Sequence, residues 1–196
     1  MRSYGFLQSP DYANIPERKL ENAKLSNIPK TYYLDSTGPL LNQGNTNKCV
    51  PYSLMSSLTH HYNLAHKELN IKPDFIYDNR KNKDSDNGMF ISDAMNILKQ
   101  HKYIKLYGKI VNIESVKATI FLDGPVIAGL PVRSQNDQFW IGRENLGGHA
   151  VALIGYDKEN FIIKNSWGYN YGSSGEEYIP YSQLGKCAYE LWSIVY

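Results

Sequence analysis

The sequence predicts an α+β fold in two lobes, a helical one followed by a sheet-forming one. Three observations carry that prediction. After Pro51, apolar residues recur at helical spacing in Leu54, Met55, Leu58 and Tyr62. From about residue 103 the pattern switches to short strand-like runs bounded by Gly, Pro and Asn-Asp clusters. A chain of 196 residues, 42% hydrophobic and 20% charged, has enough apolar material for a core shared by two lobes around a cleft.

Taken in order, residues 1–27 are polar and proline-punctuated without sustained periodicity, and read as an N-terminal arm or short leader. Residues 28–196 read as the domain, with about 40–102 forming the helical lobe and about 103–196 the β-rich lobe. The central helix is predicted over 50–69, because proline is tolerated in a first helical turn. Lys72 to Tyr77 reads as a turn into a short aromatic helix, and Arg80 to Asp86 as a solvated loop. A second long helix is expected from Asn87 to about Gln100, with Ala94, Ile97 and Leu98 on its apolar face. Strand-like runs follow at 103–107 and 108–111, then a helix over 113–122 that Asp123-Gly124-Pro125 ends. Strands are predicted over 126–132, 150–156, 160–165, 177–179 and 191–195.

A formal net charge of +2 is too small to imply nucleic acid or an anionic membrane as partner, and no apolar run approaches a membrane span. Two cysteines, Cys49 and Cys187, are too few for a disulfide framework. The first residues lack a secretory signal's apolar core, so a reducing, cytoplasmic setting is expected, with export by another route or virion packaging left open. His60, His61 and His66 have no carboxylate or cysteine at ligand spacing and read as wet-face histidines, so no metal is expected.

Taken alone, Cys49 reads as a buried inert thiol and Cys187 as packing. Cys49, however, sits where a loop gives way to a helix, and the positive end of a helix dipole favours thiolate. Lys48 beside it adds to the local positive field. Gln43, six positions earlier (49 − 43 = 6), carries an amide that can donate to a developing oxyanion, with the Cys49 backbone N–H as second donor. A nucleophile needs a base and the base an orienting group. The chain offers His149 in Gly147-Gly148-His149-Ala150 at the start of one strand and Asn165 in Asn165-Ser166-Trp167-Gly168 at the end of the next.

These residues, in this order and at these spacings, resemble the papain-like cysteine peptidases, in a short bacterial or phage-type form. The resemblance covers roughly residues 28–196, and more faintly the leader with Tyr4-Gly5-Phe6 and Ser9-Pro10-Asp11. It implies a helical lobe and a twisted antiparallel sheet lobe with a cleft between them. It also implies Cys49 as nucleophile, His149 as base and acid, Asn165 as its orienter, Gln43 in the oxyanion hole and Trp167 shielding the His–Asn bond. Gly88 matches the glycine against which extended peptide backbone is bound, Asn87 replacing the glycine before it. Met89, Phe90, Gly129 and Ala150 match the pocket for the residue two before the scissile bond, and being uncharged they favour an apolar side chain there.

The implied function is a cysteine endopeptidase acting on peptide or protein substrates through an acyl-thioester, with no metal or organic cofactor. Two other readings stand beside it: a cell-wall peptidoglycan amidase of related fold, and a catalytically silent binding protein. Thr46 stands where secreted relatives carry a disulfide cysteine. Val50, Pro51 and Tyr171 depart from the usual pattern without removing a catalytic atom. The leader is far too short for the family's helical prodomain, and reads either as an ordered arm without a regulatory role or as a segment lying over the cleft that restrains the enzyme.

Overall fold

A computed structural model describes residues 4–20, 27–85 and 88–196. The helical lobe is built on α1 (Cys49–Leu64), with α2 (Pro73–Asp78) and α3 (Ile91–Gln100) beside it. α1 buries its apolar stripe, Leu54, Met55 and Leu58, and stops at Leu64, earlier than the sequence predicts. The chain turns there, with His66 in the left-handed region at φ 51°.

The sheet lobe contains β4 (Leu106–Lys109), β5 (Val126–Val132), β6 (Gly147–Tyr156), β7 (Asn160–Lys164), β8 (Glu176–Pro180) and β9 (Glu190–Val195). They pair antiparallel in the order β4-β9-β5-β6-β7-β8, and β2 (Tyr32–Tyr33) pairs off this path with β6. Between β4 and β5 lies α4 (Ile113–Leu122), whose N-terminus is capped by Asn112 Oδ1 accepting from the Ser115 N–H at 2.8 Å.

The central strands are apolar throughout because both faces of the sheet are covered. Along β6, Ala150, Ala152 and Ile154 face the core shared with α1, and Val151 and Leu153 face a second core with Phe161, Ile163 and Trp140. Small alanines on the first face let α1 lie close against the sheet. That contact brings the start of α1 to the start of β6.

Four differences from the sequence-based expectations have causes in tertiary pairing. Met89–Phe90 is not helical but a short strand, β3, pairing parallel with β1 (Phe6–Leu7), so α3 starts only at Ile91. One strand, β4, replaces two strand-like runs, because only 106–109 has a partner in β9. α5 (Tyr181–Cys187) and β2 carry no periodic pattern and are placed by tertiary contacts, such as Tyr181 N–H to the Glu159 carbonyl at 3.0 Å.

Only the first part of the N-terminal stretch is strap-like. Beyond Leu7 the chain joins the body of the protein. Ser9 Oγ donates to Glu190 Oε2 at 3.0 Å, the Leu191 N–H donates to Tyr12 Oη at 2.9 Å, and Ile15 enters the first core.

Candidate active site

Cys49 is the first residue of α1 and its side chain is fully buried. Lys48, at the N-cap, provides no side-chain hydrogen bond to the first turn. The sulfur is therefore met by backbone amides: its own, that of Val50, that of Ala150 from β6, and that of Gly5 from the arm. Burial pushes the Cys49 thiol up to about 11, and these amides pull it only partly back. The sequence alone points the other way, toward a lowered pKa. The physical reason for the difference is burial: the thiol lies within the first core with no exposure to water, and Gly5 of the arm is among the groups that meet it. Lys48 also contributes less than its position implies, because its ammonium pairs with Asp74 at 2.5 Å.

Three side chains surround the imidazole of His149. Its Nε2 lies 2.8 Å from Asn165 Oδ1, in a buried contact. The Trp167 indole stacks on it at a centroid distance of 4.1 Å and 18° between planes, and Phe139 meets it edge-on at 5.3 Å. Asn165 Oδ1 also accepts from the Ser166 N–H at 2.7 Å, and Asn165 Nδ2 donates to Glu177 Oε2 at 2.9 Å. With the carboxamide oxygen on the His149 side, Nε2 carries the proton and Nδ1 is the basic nitrogen of the neutral ring. Trp167, expected as a shield, is stacked face to face on the His149 ring.

Gln43 is buried in the loop before α1. Its Nε2 donates to the Thr46 carbonyl at 2.6 Å, and Thr46 Oγ1 donates back to the Gln43 carbonyl at 2.6 Å. Its Oε1 accepts from Ser166 Oγ at 2.7 Å, and its backbone N–H donates to the Ser166 carbonyl at 2.8 Å. Ser166 therefore ties the loop of Gln43 to the turn that carries Asn165, and fixes which way the Gln43 amide faces. Sequence reasoning read Ser166 only as one letter of Asn-Ser-Trp-Gly. The signal available was its place between Asn165 and Trp167, which a turn must hold rigid.

The expected peptide-binding positions are in contact with the protein's own arm. Gly88 adopts φ 86°, and a Cβ there would stand 2.0 Å from the Gly5 carbonyl oxygen, while the Met89 N–H donates to that oxygen at 2.7 Å. Asn87 lies outside the described residues. The ring of buried Phe6 reaches Gly129, where a Cβ would stand 2.4 Å from it, and packs beside Tyr189. Met89 is the register partner of Phe6, Phe90 that of Leu7, and Ala150 that of Gly129. Tyr4 meets the edge of Trp167 at 6.2 Å. The Gly5 amide meets the Cys49 sulfur, and a Cβ on Gly5 would stand 1.9 Å from the Asn47 carbonyl oxygen. Among the described residues no group of three His, Cys, Asp or Glu side chains is arranged to hold a metal ion.

The sequence pattern of a peptidase family, described as Peptidase_C39 like, matches residues 37–192, from the loop before Gln43 into β9. The chain belongs to that family. Within it, this Peptidase_C39-like chain has the papain-like fold. It superposes on the crystal structure of xylellain, a cysteine protease from Xylella fastidiosa, with a TM-score of 0.84 at 19% identity, over 99% of this chain and 96% of that one. ProCathepsin B S9 from Trypanosoma congolense matches with a TM-score of 0.84 at 13% identity, over 99% and 86% of the two chains. In sequence, it is 33% identical over 86 residues to a gut-specific cysteine proteinase of Caenorhabditis elegans, and 32% identical over 93 residues to cathepsin B-like cysteine proteinase 3 of Ostertagia ostertagi. Those matches cover 39% and 40% of this chain, but only 26% and 53% of the two relatives.

Proposed function

We propose that this chain is a cysteine endopeptidase whose site is covered by its own N-terminal residues. The observation that carries this reading is the buried His149 Nε2–Asn165 Oδ1 bond of 2.8 Å with the Trp167 indole stacked on the ring, in a strand whose next residue, Ala150, brings its amide to the Cys49 sulfur at the N-terminus of α1. In that reading Nδ1 of His149 takes the Cys49 proton as sulfur attacks the substrate carbonyl. The resulting oxyanion is received by the Cys49 backbone N–H and the Gln43 amide. The protonated imidazole then delivers its proton to the leaving amine, and water hydrolyses the acyl-thioester. Asn165 keeps the ring in the tautomer this cycle needs.

The test is covalent labelling by an epoxide-type thiol reagent, read by intact mass on wild type and Cys49→Ala. Addition to wild type alone, accompanied by loss of fluorogenic peptide hydrolysis, is the expected result. A folded protein that, with residues 1–7 removed, still neither labels at Cys49 nor cleaves peptides would leave a silent papain-like fold.

The arm bears on substrate choice as well. Phe6 occupies the space between Met89 and Gly129, so the same pocket should accept a large apolar side chain two residues before the scissile bond. Peptides with Phe or Leu there should be cleaved about 10–200-fold faster than those with Asp. A positional peptide library measures this, and equal rates for Phe and Asp would contradict it.

The arm's direction explains how it can cover the site without being a substrate. A substrate whose pocket residue precedes the scissile bond runs from Gly129 past Cys49 toward Trp167. The arm runs the other way, with Tyr4 at Trp167, Gly5 at Cys49 and Phe6 at Gly129. Its carbonyl at Gly5 is engaged by the Met89 N–H.

A further inference from the structure

Asn165 has a second partner that the peptidase reading leaves without a role. Glu177 lies in β8 opposite Ile163, and the alternation of that strand turns it inward on the same face as Ile179, while Tyr178 faces out. It is buried, 6% exposed, and lies among apolar and aromatic side chains of the second core. Its Oε2 accepts from Asn165 Nδ2 at 2.9 Å, and its Oε1 is 2.9 Å from the hydroxyl of buried Tyr171. That hydroxyl is held in turn by the Asp137 carbonyl at 2.6 Å and stands under Trp167, whose ring meets Tyr171 edge-on at 4.6 Å.

A carboxamide rotated by half a turn looks almost the same in shape but exchanges acceptor for donor. For Asn165 the exchanged form would aim an NH2 group at His149 Nε2–H and at the Ser166 N–H, two donors against a donor. As a carboxylate oxygen Glu177 Oε2 can only accept, and it accepts from Nδ2, so it rewards one orientation alone. We propose that Glu177, held by Tyr171, is a positioning residue that keeps Asn165 with its oxygen toward His149. A buried acid is costly to keep in such a core, and a polar role for it offsets that cost.

This inference rests on the cysteine-peptidase reading for its effect on rate but not for its effect on the ring. The experiment therefore has two readouts on the full chain. The first is the His149 Nε2 proton in NMR spectra, where the hydrogen bond to Asn165 gives a downfield, slowly exchanging signal. Glu177→Gln retains an acceptor for Nδ2 and should keep that signal, whereas Glu177→Leu should lose it while the backbone spectrum stays folded. If Glu177→Leu were to unfold, Tyr171→Phe serves in its place, with weakened protection of the same proton expected. A signal equally protected in folded Glu177→Leu and Tyr171→Phe overturns the proposal.

The second readout is a double-mutant cycle on peptide hydrolysis in the Gly5→Ala background, which frees the cleft. Glu177→Leu should lower kcat about 10–100-fold with little change in KM, Glu177→Gln should restore it, and with Asn165→Ala already present Glu177→Leu should cost nothing more. Equal losses with and without Asn165 overturn the positioning role. Absence of any hydrolysis in wild type and Gly5→Ala, with the NMR difference intact, would remove the peptidase reading and leave Glu177's hold on Asn165 standing.

Discussion

Deleting residues 1–7 is expected to raise peptide hydrolysis by about 100-fold or more, without loss of folding. The estimate follows from what those residues contribute. Burying the Phe6 side chain gives about 2–3 kcal/mol, and the Met89 N–H bond to the Gly5 carbonyl adds about 1 kcal/mol. Each 1.4 kcal/mol is about tenfold in an equilibrium, so the uncovered form amounts to about one molecule in several hundred. The cut belongs after Leu7, because Ser9, Tyr12 and Ile15 are bound into the sheet lobe and the first core. Chemical labelling gives an independent reading. With the arm in place the Cys49 thiol, at about 11, stays protonated at neutral pH, so iodoacetamide labelling should climb as pH rises toward that value. Once water reaches the sulfur the desolvation cost falls, and labelling should already be fast near pH 7 in the shortened chain. Gly5→Ala reaches the same end by a point change, since a methyl group there meets the Asn47 carbonyl. Identical hydrolysis and labelling rates in full-length, shortened and Gly5→Ala proteins would mean that the arm exerts no restraint.

In the shortened chain, His149→Ala should lower kcat/KM by about 10³–10⁵-fold. The imidazole performs both proton transfers in the proposed cycle, and neither Trp167 nor Phe139, which flank the ring, carries a basic group. Catalysis left after its removal would come from the oxyanion donors and from substrate binding. The variant leaves a space between Trp167 and Phe139, so thermal unfolding must be recorded alongside activity; about 2–4 kcal/mol of lost packing is expected. A folded His149→Ala retaining a tenth of the activity would show that the base is elsewhere.

Much of the fold was legible because its signals are local. Strand β5 and helix α4 are found at the predicted residues, since a continuous apolar run and the Asp123-Gly124-Pro125 stop announce them without help from distant chain. Met89–Phe90 was not legible as a strand. Its sequence suits a helix start, and only pairing with Phe6–Leu7, more than eighty residues away, makes it extended. At the site, Cys49, His149 and Asn165 stood out by residue type and spacing, whereas Glu177 did not. One of two adjacent glutamates in a strand looks like surface charge, and only the alternation that pairs it with Ile179 hints that it faces inward. The ionisation of Cys49 illustrates the same limit. A helix N-terminus is a property of sequence, but the burial of the thiol belongs to the assembled chain.

By itself, then, the order and spacing of a few residues determined the family, the α+β architecture and the set of groups available for chemistry, because such motifs encode local turns, caps and strand ends. The tertiary structure alone decided that the arm's first residues fill the cleft in reverse, that Ser166 orients Gln43, and that a buried acid grips Asn165. Those outcomes depend on contacts between segments remote in the chain, where burial and hydrogen-bond geometry choose among side chains that look interchangeable one by one.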